Sequence, residues 1–213
     1  MIYLAWTMHI LGHHEEAIVL FREAEAIVRQ QSAYRLAACL GNGCILFAFR
    51  DESDAVLRLA EELLPLAEQN GFNLWAKMAH FFRGWAMADI DGSADGTTLM
   101  QETVRDLEDQ EVDKSCYLGF LSKALLRTGQ LDQASDAIRN GLDQSYKIGE
   151  HYYTAELLRL RGEVEASRGM DLAAAEASFH EAISFAHGQA ARSWERNATE
   201  SLTRFLLART ETR

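Results

Sequence analysis

The chain has 213 residues, 48% of them hydrophobic, one proline and a formal net charge of −11. Binding of DNA or RNA rests on neutralising phosphates with Lys and Arg, so an acidic chain with no basic run argues against it. No run of about 18 apolar residues is present to predict a membrane-spanning helix.

Helical signals follow one another in chain order with little linker. Residues 1–11 read as a first helix and 15–30 as its partner. Residues 32–49 form the next, capped by Ser32, and 52–70 follow, closed by the C-cap signal Asn70-Gly71. The one proline, Pro65, lies inside that run and is expected to kink or shorten it. Residues 73–90 and 95–110 make a third pair. Residues 114–128 and 131–148 make a fourth, closed by Gly149, and 152–168 and 171–187 a fifth, closed by Gly188. Residues 190–209 form a last helix without a hairpin partner. No stretch alternates apolar and polar residues long enough to read as a strand, and no linker composition marks a domain boundary.

These pairs repeat. Ala17, Phe21 and Ala24 are spaced as A-x3-F-x2-A, and Ala175, Phe179 and Ala182 restore the same spacing near the far end. Ala55 with Leu59, Gly96 with Met100, and Ala134 with Ile138 are weaker copies. The register positions 17, 55, 96, 134 and 175 stand 38, 41, 38 and 41 residues apart. A period of that length marks a solenoid of stacked helical hairpins. Ala5, Gly43, Gly84 and Ser122 each lie twelve residues before a register position. A small side chain there lets two helices approach closely, and the large residue four after the register position fills the groove between hairpins. The expected fold is all-α: a right-handed superhelical solenoid of about five antiparallel hairpins plus a final unpaired helix, as a single domain over 1–213. Its repeats run roughly over 1–30, 32–71, 73–110, 114–149 and 152–188, with the terminal helix at 190–209.

"LGHHEEAIVLFREA", residues 11–24, sets two histidines beside two glutamates, residue types that bind zinc and di-iron centres. In the repeat frame HHEE occupies the turn between two helices and the first turn of the second, where Glu15 and Glu16 favour the positive helix end. Zinc on a helix wants His at i and i+4, whereas adjacent histidines point about 100° apart. A solvated turn is the expected reading, with no metal. The stretch from Asp89 to Asp113 holds nine acids against Arg105 and reads as a solvated face rather than a docking site for a basic partner. Cys39, Cys44 and Cys116 form neither a CxxC pair nor an even framework, which reads as buried thiols in a reducing cytoplasm. The start lacks the basic region and small-residue cleavage site of a signal peptide.

The hairpin pattern resembles the tetratricopeptide repeat. The resemblance rests on small residues at the eighth repeat position (Ala5, Gly43, Gly84), Ala at the twentieth (Ala17, Ala55, Ala134, Ala175), and Phe21 and Phe179 at the twenty-fourth. The period exceeds the usual 34, the last-turn Pro is absent, and Met100 and Ile138 replace the aromatic; longer helices accommodate this. "AEQNGFNLWAKMAHFFRGWAMADIDG", "ALLRTGQLDQASDAI", "EHYYTAELLRLRGEVEASRG" and "AEASFHEAISFAHGQAARSWERNATESLTRFL" look like the C-terminal repeat region of large bacterial signalling proteins. Those proteins join an adenylate cyclase or winged-helix domain to an NTPase and then to such repeats. The resemblance covers about residues 55–209 and implies a regulatory or sensing arm, with no catalysis carried over.

In tetratricopeptide arrays the first helix of each hairpin lines a concave groove. Carrying its fifth, ninth and twelfth positions across gives Trp6, His9, Leu40, Phe47, Phe81, Trp85, Lys123 and Arg159, with Arg127 and Glu163 nearby. The first half of that groove is aromatic and apolar, the second charged. An amphipathic helix, or an extended segment with an acidic end, would suit it. Leu40, Phe47 and Phe81 serve equally well as core between longer helices; Trp85 and Arg159 are expected on the open side. Glu156–Arg159 and Arg159–Glu163 read as helix-surface ion pairs.

No GxxxxGK[ST] loop, HExxH or GxSxG is present, so an enzyme is not expected, nor a cofactor. The expected function is a scaffold that binds a protein or peptide segment, another domain of the same parent chain included; a small-molecule sensor arm is the alternative. The first helix opens with apolar Ile2, Tyr3, Leu4 and Trp6, where a solenoid end normally carries a polar cap. The expectation is a piece of a longer protein, or ends covered by another subunit, a homodimer included.

Overall fold

The computed structural model describes residues 1–107 and 113–211. Among them every regular element is an α-helix: α1 (Ile2–Ile10), α2 (His14–Val28), α3 (Ala33–Phe49), α4 (Ser53–Asn70), α5 (Asn73–Asp91), α6 (Ala94–Arg105), α7 (Lys114–Arg127), α8 (Leu131–Ile148), α9 (Thr154–Arg168), α10 (Leu172–Gly188) and α11 (Arg192–Glu211). Residues 108–110, expected at the end of a helix, and the matching part of the acidic stretch lie outside the described residues.

The chain divides into two compact units, Met1–Asp106 and Leu107–Arg213, where the sequence shows no break because both are built from the same repeat. In the first, α1–α2, α3–α4 and α5–α6 are antiparallel hairpins. The second helix of one hairpin packs on the first helix of the next, as α4 does on α5, and first helices touch in series, α1 with α3 and α3 with α5. In the second unit, α7–α8 and α9–α10 repeat this order, and α7 touches α9. The last helix, α11, is not left alone: it packs on both α9 and α10, where the first helix of a next hairpin would lie. The result is an all-α solenoid arrangement within each unit.

Contacts recur at the repeat length because equivalent positions in successive hairpins face each other. In the first unit Ser53 Oγ bonds Asp89, 36 residues on. In the second, Tyr152 Oη donates to Asp113 Oδ1 at 2.7 Å across 39 residues, and Ser201 Oγ to Glu163 Oε1 at 2.8 Å across 38. The small residues work as the register implies. Ala5 and Ser122 are fully buried, and a Cβ on Gly43 would stand 2.4 Å from the Phe21 ring.

The helix ends largely follow local chemistry. Ser32 Oγ accepts from Arg35 N at 3.3 Å, and Gly71 and Gly149 take the left-handed conformation at their C-caps. One of the two effects expected of Pro65 is corrected: it does not shorten α4, which runs on to Asn70. Its ring sits on the exposed face, so the carbonyl it leaves unbonded at Glu61 faces water rather than core. Gly188 does not close α10 by a left-handed turn; it stays helical, and Ala190 adopts the positive φ of 54° instead.

Each unit has its own core. Leu40, Ile45, Leu46, Leu63, Phe81, Phe82, Trp85 and Met100 fill the first; Phe120, Leu125, Phe179 and Trp194 fill the second.

Candidate functional site

Most of the residues carried over from the repeat pattern are buried or half-buried. Trp6, His9, Leu40, Phe47, Phe81 and Trp85 belong to the first unit, and Lys123, Arg127, Arg159 and Glu163 to the second. Trp6 is buried and its indole N–H donates to the Asn42 carbonyl at 2.9 Å. His9 is buried against Phe49, their rings stacked at 5.9 Å. Leu40 and Phe81 have no exposed surface, and Phe47 is half-buried, edge-on to Phe21 at 5.2 Å. Trp85, expected to be open, is 2% exposed. Helix α3, which carries Leu40 and Phe47, has α4 beside it and the first helices α1 and α5 in contact with it, and α5, which carries Phe81 and Trp85, is packed on α3, α4 and α6. Lys123 is half-buried and Arg127 exposed.

The HHEE stretch forms the turn and the first turn of α2, with Glu15 and Glu16 in that first turn. His14 reaches back into the hairpin, its Nδ1 3.1 Å from His9 Nδ1. One imidazole donates to the other, a pairing that needs at least one neutral ring. Among the described residues no group of three or more His, Cys, Asp or Glu is placed to hold a metal.

Arg159 is the centre of a different construction. It is 6% exposed, and Glu156 beside it 4%. Its Nε and Nη2 donate to the Glu156 carboxylate at 2.8–3.1 Å, and its Nη1 to Glu163 Oε1 at 2.7 Å. The two ion pairs foreseen on α9 therefore form, but not on a helix surface, because α11 lies over them. Asn197 Nδ2 donates to Glu156 Oε1 at 3.3 Å, and Ser201 Oγ to Glu163, both from α11. Burial works against the guanidinium's charge, but the Glu156 and Glu163 carboxylates outweigh it and raise its pKa further. Burial likewise opposes the Glu163 charge, yet Arg159, the Ser201 hydroxyl and Arg204 hold its pKa below the usual carboxylate range.

Glu163, Ser201 and Arg204 of this network line an open cleft of about 510 Å³ within the second unit. Leu126, Ala166, Leu172, Phe179, Phe205 and Ala208 supply an apolar floor. Glu163, Ser167, Ser201, Arg204 and Arg209 supply the polar edge. Arg204 Nη2 bonds Ser201 Oγ at 3.0 Å and Glu163 at 3.3 Å with most of its side chain in solvent. Arg209 pairs with Glu176 at 2.5 Å and lies over the Phe205 ring. Of the carried-over set only Glu163 reaches this cleft. Ser201, Arg204, Phe205, Ala208 and Arg209 come from α11, which the expected groove positions do not include, and the remainder from α7, α9 and α10.

A second titratable cluster went unread in the sequence. Asp113, the left-handed residue before α7, donates its N–H to Glu150 Oε2 at 3.0 Å and accepts from the Tyr152 hydroxyl. Burial pushes the Asp113 carboxyl up, against the pull of the Tyr152 bond; burial and then the neighbouring Asp113 charge push Glu150 up. Burial and the surrounding acids also hold the Tyr152 hydroxyl and the Cys116 thiol protonated. The available signal was the repeat offset: "DKSCY" and "EHYYT" lie one period apart.

The chain matches no family model. It is similar to an uncharacterised protein of Rhizobium meliloti (strain 1021), 23% identical over 172 residues. The match takes in 80% of this chain but only 17% of the relative's length. No helix among the described residues is long and apolar enough to cross a membrane.

Proposed function

We propose that the chain is a non-catalytic helical-repeat interaction module that holds a protein segment in the α9–α11 cleft. The carrying observation is the composition of that cleft: an apolar floor from Phe179, Phe205 and Leu172 beneath the guanidinium groups of Arg204 and Arg209. An amphipathic segment with an acidic end matches it, its apolar side chains on the floor and its carboxylates at the rim. The tetratricopeptide resemblance and the far longer relative support a cytoplasmic regulatory arm within a larger signalling or transcription-regulating protein, with the bound segment drawn from that protein or from another.

A photo-crosslinking residue at Ala208, exposed at the cleft edge, tests this in living cells. The expected adduct is one protein segment with apolar residues at helical spacing and acids at one end. Arg204→Glu should cut its yield about tenfold, as expected for a reversed charge at a polar rim. An adduct indifferent to Arg204→Glu, or none, rejects the reading.

The cleft volume favours one second reading. About 510 Å³ lies in the range of small-molecule sites, so a carboxylate or phosphate metabolite is the alternative occupant. A melting temperature raised by such a compound in the wild type but not in Arg204→Glu would assign the cleft to it.

A further inference from the structure

Helix α1 is tied to the start of α2 by a pair of histidines. His9, in the last turn of α1, is 3% exposed, and its ring stacks on Phe49, itself buried at the end of α3. His14, the first residue of α2, is half-buried. Its Nδ1 lies 3.1 Å from His9 Nδ1, with the ring centroids 4.7 Å apart. The turn between them is closed by Gly12 N donating to the His9 carbonyl at 3.0 Å and His13 N to the Met8 carbonyl at 2.8 Å. When both rings are neutral, or only one is protonated, one Nδ1–H donates to the other Nδ1. An imidazolium carries a proton on both ring nitrogens. With both rings protonated, two N–H groups and two positive charges therefore meet across the same gap, and the bond cannot form. Burial of His9 adds a desolvation cost to that state, and a charge on His14 meets the positive end of α2.

We infer that the His9–His14 pair is a proton-sensitive clasp, which holds the end of α1 on α2 near neutral pH and opens when both rings are charged. His14 is the ring that leaves, because it has solvent beside it while His9 is enclosed. The surrounding charges are mixed. Helix α1 carries no other charged side chain; Tyr3 in its first turn also titrates. On the α2 side His13 pairs with Glu16 at 3.8 Å, and Glu15 is exposed. Beyond Phe49 comes Arg50, whose guanidinium donates to the His14 carbonyl at 3.4 Å and to Glu52 at 2.5 Å, with Asp51 between them in sequence. Arg35, the other charge brought by α3, lies in its first turn, at the opposite end from Phe49. Glu15, Glu16, Asp51 and Glu52 favour the first proton on the pair, and Arg50 opposes it. None of them relieves the meeting of two N–H groups, so the closed clasp rejects the second proton. The closed pair binds that proton more weakly than the open one. The clasp is therefore fully formed above the ordinary histidine value of about 6.5 and is lost as pH falls below it.

Nitrogen-15 NMR of the imidazole rings, combined with amide exchange between pH 8 and 4, tests this on the chain itself. The second proton of the pair should bind at least about one pH unit below 6.5. Protection factors of the amides of residues 7–11 should fall at least about fivefold from pH 7 to pH 5. His14→Gln keeps a hydrogen-bonding side chain that does not titrate. It should abolish that fall and leave the amides of α4 and α5 unchanged. Two rings that both become charged near 6.5, with protection unaltered, overturn the inference. A fall of equal size in His14→Gln also overturns it, since the loss would then belong to other groups. The ring titration is read on the wild type, so it decides the question even where the variant folds poorly.

Discussion

Gly84 and Gly96 face each other across the α5–α6 hairpin with their backbones in contact range. A Cβ on Gly96 would stand 2.5 Å from the Gly84 carbonyl and 2.7 Å from Ala88 N; a Cβ on Gly84 would stand 2.7 Å from the Gly96 carbonyl. The obstructing atoms are main chain in both directions, so no side chain can swing away. The helices of this hairpin are as close as they are because both positions lack a side chain.

Gly96→Ala is therefore expected to lower stability by about 1–3 kcal/mol, the range for overpacking a close contact. In an open helical position the same change stabilises, by about 1 kcal/mol at most. Gly188 supplies that control, since it is helical with nothing within 4 Å of its Cβ position. Urea midpoints of the two variants should move in opposite directions. A Gly96→Ala midpoint at or above the wild type would refute the close-approach account.

Arg159→Ala should be among the most damaging single changes in the second unit. It leaves Glu156, 4% exposed, with the 3.3 Å bond from Asn197 in place of a paired guanidinium, and strips Glu163 of its principal counter-charge. Removing one partner of a buried pair costs about 3–5 kcal/mol. Arg159→Lys keeps the charge but not the fork that grips Glu156 through two nitrogens, and should recover only part of the loss. Denaturant unfolding of the three proteins orders them. An Arg159→Ala protein as stable as the wild type would mean that the network contributes nothing.

Where the sequence misled is instructive in the same region. The register of small residues is legible because close helix approach admits few residue types: Ala5, Gly43, Gly84 and Ser122 all fall at buried contacts. Groove positions are less legible because they depend on the turn count of each helix. A repeat of 38 to 41 residues carries four to seven more than the repeat it resembles, and each added residue turns a side chain by about 100°. Trp85 and Arg159 thus move from the open face to the interior. Spacing along α9 also says nothing of what lies above it. The burial of Glu156 and Arg159 is decided by Asn197 and Ser201, some forty residues away on α11.

The three thiols should be unreactive in the folded protein. Burial lifts the Cys39 thiol to about 11 and holds Cys44 and Cys116 higher still, and all three side chains are buried and free. The thiolate is the reactive form, so at pH 8 only about one Cys39 in a thousand is ionised. Titration with an aromatic disulfide at pH 8 should show no fast-reacting thiol in the native protein and three in urea. A fast native thiol would place one of them at a surface.

The two acidic clusters of the second unit predict opposite responses to pH. Glu163 has a folded pKa below its unfolded value, so its contribution to stability is full above about 4.5 and is lost as pH falls through the lower folded value. Asp113 and Glu150 have folded pKa values raised above 3.8 and 4.5. Their folded forms bind protons more tightly than the unfolded chain, so their charges oppose folding at neutral pH and that cost is relieved as pH falls through the raised values. Asp113→Asn should accordingly raise the urea midpoint at pH 8, with an advantage that shrinks towards pH 4. Asn also suits the left-handed backbone at this position, but that gain does not vary with pH. Glu163→Gln should lower the midpoint at pH 8, with a deficit that shrinks below pH 4. Midpoints of both variants at pH 8, 6, 4 and 3 are the measurement. If the two differences from wild type change with pH in the same sense, the burial of Asp113 and the pairing of Glu163 with Arg159 cannot both hold.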